Sequence, residues 1–474
     1  MAAKDFSHGV QYTPANVADV GLGTLKVEEL KEKGISYVRV QWVDFTNIVR
    51  MRVVPLAYFL KVLESKRPGF GVAKATFGLV HLNMAPGTPA AGEYLLVPDL
   101  STIRLCPYAP GHVSVLSWIE EKAPPPGSDS VELDLCPRTI LKRVLESAKE
   151  SEAKFLIGVE HEFVLLKSVD PVEPINYGDW TTTGGLPSGS VEATVLQEIA
   201  DSVQASGIEL QLYHVEAAPG QFEVVTGPLP PLEAADAVVH TREIITQTAA
   251  KHGLRATFAP RPFMTSAGSA AHIHISVHSP KDSQKVIGQL SPYESSFLAG
   301  MLAHLPAIPA LTLPTPASYK RMFDGAWSGG TYVSWGTENR ECPIRLANAD
   351  SLTSRRFELR CSDATANPHL ALAGIVAAGL SGLKDMQPLT LKNVESPLTP
   401  ATMDEGQRKV YGITQRLPLD IAQARQKLQN DELFIKLFGT EFLEKYLSVN
   451  NMLGDILTQD EDEAKALTRL VRFY

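Results

Sequence analysis

Two glutamates one residue apart, in a segment that otherwise has the pattern of a buried strand, constrain this chain most. The segment is GVEHEFVLL, residues 158–166, which carries Glu160 and Glu162. Successive side chains of a strand point to opposite faces, so both carboxylates share one face. Burial of such a pair without a cation raises at least one pKa. The pair predicts a metal or acid–base site or an exposed, hydrated face; taken alone, it fits the exposed face better.

The composition is that of an ordinary globular enzyme. The 474 residues are 44% hydrophobic and 20% charged, which is enough chain for two or three domains. The formal net charge is −9 and no basic cluster is present, so we expect neither nucleic acid nor a membrane as a partner. The four cysteines form no CxxC pair, the start MAAKDFSHGV has no apolar core of signal-peptide length, and the longest apolar run, at 370–380, is too short to span a bilayer. These features predict a cytoplasmic protein.

A proline-rich stretch, EKAPPPGSDS at 121–130, interrupts two patterned regions and is typical of a linker. Before it, residues 35–55 alternate like two strands around the polar DFTN, which predicts a hairpin. After it, helical and strand patterns alternate, and the last fifty residues look helical. We therefore predict a strand-rich domain over residues 1–134 and a larger α+β domain over 135–474.

Three further strand-like segments carry charged or polar side chains on one face. Each has an ordinary structural explanation when taken alone: a pair of glutamates beside a turn, a satisfied core histidine, or a salt-bridge ladder at even odds. The segments are HVEAAPGQFEVV with Glu216 and Glu223, AHIHISVH with His272, His274 and Ser276, and RRFELRC with Arg356, Glu358 and Arg360.

Together these segments predict more than they do singly. Five glutamates and one histidine supply oxygen and nitrogen ligands, while five arginines supply binding groups for phosphate and carboxylate. That combination is typical of a site where two Mg²⁺ ions and arginines hold ATP. No P-loop, GxGxxG or kinase signature is present. The arginines are Arg321, Arg340, Arg345, Arg356 and Arg360.

The motifs resemble those of the glutamine synthetase family. GVEHEF, EAAPGQFE, HIHIS, SYKR, NRECPIR and RFELRCSDATANPHLALAG occur in the order and near the spacing of that family, and they span nearly the whole chain. The resemblance implies an N-terminal β-grasp domain and a catalytic domain with a curved antiparallel sheet surrounded by helices. It also implies ATP, Mg²⁺ or Mn²⁺, and a ring-like homo-oligomer.

The resemblance assigns roles to single residues. One metal would be held by Glu162, Glu216 and Glu223, and the nucleotide's metal by Glu160, His272 and Glu358. Arg340 resembles the γ-phosphate binder, and the other nucleotide contacts would be Arg345, Arg356, His274 and Ser276. Arg321, Arg360 and Gly268 would bind the acid substrate. Asp44 resembles an aspartate that a neighbouring subunit contributes to deprotonate the amine.

The departures from the family lie where the amine would bind. Trp327 stands at the place of a flap glutamate, and Ala267 and Ala270 replace an asparagine and a glycine before the histidine. Leu186 stands where a tyrosine usually follows a Gly-Gly pair. The residues at these positions resemble those of the γ-glutamylpolyamine synthetases and of the fungal FluG-like branch. Trp327 removes a negative charge and adds an aromatic surface, which suits an organic amine better than ammonium.

We therefore expect an ATP-dependent ligase that forms a γ-glutamyl-type amide through an acyl phosphate. Its substrates would be glutamate or an analogue and an organic amine. Two alternatives remain at this point. The first is a catalytically weak or inactive relative with a signalling or scaffold role. The second is phosphoryl transfer to a guanidino group, which leaves Asp44 and the N-terminal domain without an obvious role.

Overall fold

The computed structural model describes residues 9–20, 23–178, 181–282, 285–326 and 329–474. It is a mixed helix and strand fold whose larger sheet is curled. No helix in these ranges is both long and apolar enough to cross a bilayer.

A six-stranded sheet occupies the N-terminal part, in the order β2-β1-β8-β6-β3 with β7 paired to β8. The predicted hairpin is confirmed, because β1 and β2 pair antiparallel from Tyr37↔Pro55 to Val43↔Val49. The β1–β8 pair is parallel, and β4 and β5 form a separate two-stranded ribbon. The strands are β1 (Tyr37–Val43), β2 (Val49–Pro55), β3 (Phe70–Ala73), β4 (Leu79–Val80), β5 (Asn83–Met84), β6 (Glu93–Pro98), β7 (Arg104–Leu105) and β8 (His112–Glu121).

A nine-stranded sheet forms the second part. Its strands are β9 (Lys154–Val169), β10 (Val172–Pro174), β11 (Leu210–Val215), β12 (Gln221–Thr226), β13 (Arg255–Thr257), β14 (Ile273–His278), β15 (Trp335–Thr337), β16 (Ile344–Ala347) and β17 (Arg356–Leu359). The order is β11-β12-β9-β14-β17-β16-β15, with β10 and β13 also on β9. The pairs are antiparallel except β15–β16, which is parallel. We predicted an antiparallel sheet, and this is wrong for one pair: β15 and β16 are parallel, because the chain runs from one to the other through a loop rather than a tight hairpin turn.

Helices cover the sheets and form most of the C-terminal fifty residues, as predicted. They are α1 (Pro14–Val20), α2 (Leu56–Leu63), α3 (Pro137–Ser147), α4 (Val191–Ala205), α5 (Pro231–Lys251), α6 (Pro292–His304), α7 (Pro309–Thr312), α8 (Pro368–Lys384), α9 (Glu405–Val410), α10 (Ile421–Asn430), α11 (Glu432–Phe438), α12 (Thr440–Thr458) and α13 (Glu463–Phe473).

Helix α8 shows why the ANPHLALA motif has its residues. The side-chain oxygen of Asn367 accepts hydrogen bonds from the backbone N–H groups of His369 and Leu370 at 3.0 and 3.2 Å. Pro368 occupies the first helical position, where its missing N–H has no cost. Almost the whole helix is buried, which explains its run of small and apolar residues.

One buried ion network joins the two parts of the chain. Arg138, at the start of α3, donates to both carboxylate oxygens of Asp236 at 3.0 and 2.7 Å and to Asp99 at 3.0 Å. His369 donates to Asp236 at 2.8 Å, and the Arg138 guanidinium lies 4.0 Å from the ring centroid of Trp118. The apolar core is likewise continuous across both parts. The boundary near residue 134 stays a prediction.

Candidate active site

Strand register brings the predicted site residues together. On β9, Glu162 lies directly opposite Glu223 of β12. On the far side of β9, β14 and β17 place His274 opposite Glu358, and β16 places Arg345 opposite the same glutamate. Like charges directly opposite each other destabilise a sheet. The Glu162–Glu223 pair is therefore a source of repulsion within the sheet.

All of these side chains except that of His274 line a cavity of about 500 Å³, which we call the carboxylate cavity. It contains all six predicted metal ligands, four of the five predicted arginines and Gly268. Its lining includes Glu160, Glu162, His214, Glu216, Glu223, Arg261, Ala267, Gly268, His272, Arg321, Phe323, Ala326, Arg340, Arg345, Glu358 and Arg360.

Glu160 is held by two histidines. His272 Nδ1 donates to Glu160 Oε2 at 2.6 Å, and His274 Nε2 donates to Glu160 Oε1 at 2.9 Å. Arg356 in turn donates to His274 Nδ1 at 3.1 Å, which fixes the His274 tautomer. Burial alone would raise the pKa of Glu160, but the two histidine hydrogen bonds outweigh it and hold the pKa well below the usual value.

Glu162 is more deeply buried and has no histidine hydrogen bond. Its Oε2 accepts from the backbone N–H of Ala270 at 2.9 Å and from the side-chain amide of Gln221 at 3.0 Å. Burial, together with repulsion from Glu223 and Glu216, raises the pKa of Glu162 to about 7. Gln221 also donates to Ser269 Oγ at 3.1 Å, so it fixes the orientation of Glu162 relative to the loop before β14.

His214 belongs to this site and was missed from the sequence. Its Nε2 donates to Glu223 Oε1 at 3.1 Å, and its Nδ1 lies 3.7 Å from Glu216 Oε1. The hydrogen bond with Glu223 raises the pKa of His214 to about 9, and burial raises the pKa of both glutamates. The available signal was spacing, because His214 precedes Glu216 by two residues and so shares its strand face.

The closest ligand groups differ from the predicted ones. Ligand atoms lie within 4.8 Å of one another in three sets: Glu160, Glu162 and His272; Glu160, His274 and Glu358; and His214, Glu216 and Glu223. Glu162 thus groups with Glu160 rather than with Glu216, because Gln221 and Ala270 draw its carboxylate toward the loop before β14.

The donor set fits divalent cations. Carboxylate oxygens and imidazole nitrogens suit Mg²⁺ and Mn²⁺. Among the described residues, Glu160, Glu162, Glu216 and Glu223 have no lysine or arginine within ion-pair distance. The buried Nε2 of His272 also has no hydrogen-bond partner in the part of the chain that the structure describes.

Two of the arginines are tied to Glu358. Arg345 donates to Glu358 Oε2 at 3.1 Å, and Arg360 donates to Glu358 Oε1. Arg360 also donates to the backbone carbonyl of Arg340 at 3.0 Å. Burial would raise the pKa of Glu358, but His272 and Arg360 outweigh it and lower the pKa.

A second cavity of about 490 Å³ shares Glu160 with the first. His274, Ser276 and Arg356, the remaining predicted nucleotide contacts, line it, together with apolar residues such as Leu156, Val159 and Leu210. The Arg356–His274–Glu160 chain of hydrogen bonds therefore runs from one cavity to the other. The two cavities therefore fit a nucleotide, with its charged part in the carboxylate cavity and its apolar ring in the second cavity.

Gly268 lies where no side chain fits. A Cβ atom there would be 2.8 Å from Arg321 Cγ and 2.8 Å from the carbonyl oxygen of Pro260. Arg321 donates to the backbone carbonyl of Ser362 at 3.1 Å. The glycine therefore allows Arg321 to reach the cavity wall.

Asp44 does not line either cavity as far as the described residues define them. It is buried in the β1–β2 turn, where its Oδ1 accepts from Thr46 and Ile48 at 2.8–3.0 Å and its Oδ2 accepts from Arg50 at 2.7 Å. Asn367 and Tyr474 anchor this turn to the larger part of the chain. Trp327 lies outside the described residues.

The chain matches a family model, named proteins and solved structures over most of its length. The family model described as glutamine synthetase, catalytic domain, matches residues 134–459. Protein fluG of Emericella nidulans is 35% identical over 91% of this chain, and the match spans 48% of that protein. The chain thus corresponds to about half of that relative's length.

Two further relatives match nearly end to end. A glutamine synthetase of Methanocaldococcus jannaschii is 32% identical over 90% of this chain and 94% of its own length. The gamma-glutamylpolyamine synthetase GlnA3 of Streptomyces coelicolor is 30% identical over 93% and 94%. A solved structure described as a GmaS/ADP complex superimposes with a TM-score of 0.76 at 25% identity, covering 94% of this chain and 99% of that one.

Proposed function

Since the chain belongs to the glutamine synthetase family of ATP-dependent carbon–nitrogen ligases, we propose that it joins a carboxylic acid to an organic amine. The acid is glutamate or an analogue, and the product is a γ-glutamyl-type amide. The observation that carries the proposal is the carboxylate cavity, where four glutamates that have no lysine or arginine ion-pair partner among the described residues lie beside arginines.

Two divalent cations are the natural partners of these glutamates. When bound, Mg²⁺ or Mn²⁺ neutralises the carboxylates and the negative charge of ATP phosphates. We assign Glu162, Glu216 and Glu223 to one ion, with His214 beside them, because Glu162 lies directly opposite Glu223 in the sheet. We assign Glu160, His272 and Glu358 to the other ion, although the carboxylate of Glu162 also lies near Glu160 and His272 before any ion is bound.

The arginines handle the charge of the transferred phosphoryl group. Arg340, Arg345 and Arg356 bind phosphate oxygens and stabilise the charge that develops as the γ-phosphoryl group moves from ATP to the acid's carboxylate oxygen. The bond between the γ-phosphorus and the bridging oxygen breaks, ADP leaves, and an acyl phosphate forms. His274 and Ser276 contact the nucleotide from the second cavity.

The second half of the reaction forms the amide. Arg321 and Arg360 hold the α-carboxylate of the acid, and Asp44 of a neighbouring copy takes a proton from the protonated amine. The neutral amine then attacks the acyl carbon, and phosphate leaves with the electrons of the carbon–oxygen bond and takes up the second proton that the nitrogen loses as the amide forms. Exclusion of water matters here because water would hydrolyse the acyl phosphate.

An organic amine suits the walls of the cavity better than ammonium does. Ala267, Phe323 and Ala326 give it an apolar lining, and Phe323 is 46% exposed. Trp327 would add an aromatic face worth roughly 0.5–2 kcal/mol to a cationic amine. The name of the relative GlnA3 states that it acts on a polyamine, which supports the same substrate class.

The test is a substrate panel. Purified protein is incubated with ATP, Mg²⁺ and glutamate or analogues, and with ammonium, alkyl amines, polyamines or aryl amines. ADP release and product mass are then measured. We expect a larger kcat/KM for at least one organic amine than for ammonium, and a shift toward ammonium in Trp327→Glu. A wild-type preference for ammonium contradicts the amine assignment, and no ADP release with any pair favours the scaffold alternative.

We also propose that the N-terminal sheet is the β-grasp domain and that the copies form a ring. Asp44 then completes the site of the neighbouring copy, since it lies away from the cavities of its own chain as described. Mixed oligomers of Asp44→Ala and Arg340→Ala chains should recover activity that each variant alone lacks. Mass spectrometry must confirm the mixture; confirmed mixed rings without activity contradict the shared site.

A further inference from the structure

We infer that Arg261 is a positioning residue that joins two walls of the carboxylate cavity and so couples acid binding to the exclusion of water. The inference rests on the proposed function for the meaning of the cavity. Arg261 lines the cavity and belongs to the loop 260–269, which also carries Gly268.

The first wall is a closed loop. The backbone N–H of Ser269 donates to the carbonyl of Pro260 at 2.7 Å, which brings the ends of the loop 260–269 together. Arg261 Nε donates to the carbonyl of Ser266 at 3.2 Å, and Nη2 donates to the carbonyl of Met264 at 3.0 Å. The guanidinium thus bridges two carbonyls of the loop and fixes the shape of the wall that carries Ala267 and Gly268.

The second wall is the segment that carries Arg321. Arg261 Nη1 donates to the carbonyl of Lys320 at 2.8 Å, one residue before Arg321. The centre of the guanidinium also lies 5.1 Å from the ring centroid of Phe323. Phe323 begins the stretch that lines the cavity through Gly325 and Ala326 and leads to Trp327.

The contacts identify a positioning role rather than a substrate-binding one. Three of the five N–H groups of the guanidinium point at backbone carbonyls of three different residues. A planar fork can serve three such acceptors at once, whereas a lysine ammonium on a flexible stem cannot hold the same geometry. Arg261 therefore keeps the loop that carries Gly268 and the segment that carries Arg321 and Phe323 at a fixed separation.

The consequence follows from the proposed chemistry. If the walls separate, Arg321 no longer holds the acid in place, and water reaches the acyl phosphate. The variant Arg261→Lys should raise the KM for the acid about tenfold to a hundredfold and release more than one ADP per amide. The KM for ATP should stay within twofold, because Arg261 does not line the second cavity.

Arg408 offers a matched control. Its Nη1 donates to the carbonyls of Pro400 and Met403, and its guanidinium lies 4.8 Å from the ring centroid of Tyr332. It has the same kinds of contact but does not line the carboxylate cavity. Arg408→Lys should leave both the acid KM and the ADP-to-amide ratio unchanged, even if its unfolding midpoint falls as much as that of Arg261→Lys.

The experiment measures ADP and amide in parallel for wild type, Arg261→Lys, Phe323→Leu and Arg408→Lys, with thermal unfolding of each. An elevated ratio in Arg261→Lys, and a smaller rise in Phe323→Leu, supports the inference. A one-to-one ratio with an unchanged acid KM in folded Arg261→Lys overturns it, while wild-type amide synthesis leaves the proposed function intact. If Arg261→Lys does not fold, the ratio in Phe323→Leu decides the matter.

Discussion

Asp236 and Glu162 are almost equally buried, at 7% and 6% exposure, yet their surroundings are opposite. Asp236 has two hydrogen bonds from Arg138 and one from His369. Burial would raise its pKa, but Arg138 and His369 outweigh it and lower the pKa of Asp236 to about 2. Glu162 has only amide donors and faces other glutamates, which leaves its pKa at about 7.

This difference in partners distinguishes a buried carboxylate that supports the fold from one that is available to bind a ligand. A buried carboxylate that is matched within its own chain supports the fold, whereas one that is left unmatched costs stability until a cation arrives. The network around Asp236 joins the two parts of the chain. The glutamates of the carboxylate cavity have no such matching cation among the described residues, which is what the proposed metal site requires.

The largest expected effect is on the free energy of unfolding when Asp236, which is paired with Arg138 and His369, is changed. Asp236→Asn leaves Arg138 with a weaker partner set and should lower the free energy of unfolding by about 3–5 kcal/mol. Urea unfolding of the metal-free protein measures this. The isosteric change Glu162→Gln is the matched control and should cost less than about 1 kcal/mol, since it removes repulsion. Equal losses in the two variants would remove the distinction between the clusters.

The order of the two variants should reverse for enzymatic activity: Glu162→Gln should lose more activity than Asp236→Asn. Glu162→Gln retains an oxygen for Ala270 but loses a metal ligand, so amide synthesis should fall by about 100-fold or more. Asp236→Asn, assayed at a temperature where it is folded, should keep its activity within about threefold. Steady-state rates at saturating substrates test this, and near-normal activity in Glu162→Gln would show that its charge is not needed.

Added Mg²⁺ or Mn²⁺ should stabilise the proteins according to whether Glu162 is intact. A cation that binds only the folded state stabilises it by about 2.3 kcal/mol at fifty times its Kd. Mg²⁺ or Mn²⁺ should therefore raise the unfolding midpoint of wild type and of Asp236→Asn by the same amount, and that of Glu162→Gln by less. An identical shift in all three proteins would place the bound cation elsewhere.

The smallest effect is on acid stability. The pKa of Asp236 is lower in the folded state than its unfolded value near 3.9. Its contribution is therefore present above about pH 4 and is lost as pH falls toward about 2. Wild type should lose about 1 kcal/mol more than Asp236→Asn between pH 4 and pH 3. Parallel pH profiles for the two proteins would contradict the depressed pKa.

Strand periodicity explains what the sequence could predict. Glu160, Glu162 and Glu358 share their strand faces with polar or charged neighbours, and the two-residue period shows this without any structure. The hairpin around Asp44 and the start of α3 at Pro137 also follow from local rules. These features depend on residues close together in the chain.

The parts that could not be predicted depend on distant residues. Arg138 meets Asp236 98 positions later, and Asp236 meets His369 133 positions later; no local pattern links them. The same holds for Arg261 and Lys320. A sequence shows which face of a strand a residue occupies, but not which side chain the tertiary fold brings against it. His214 is the exception, since its spacing from Glu216 was visible.

The most direct test of the central claim is a count of bound cations. Metal-free wild type, Glu162→Gln, Glu223→Gln and Asp236→Asn are titrated with Mn²⁺, and free Mn²⁺ is followed by electron paramagnetic resonance in the presence of ADP. We expect two tightly bound ions per chain in wild type and Asp236→Asn, and at least one fewer in each glutamate variant. Wild type that binds no Mn²⁺, or glutamate variants that bind as many ions as wild type, would contradict it.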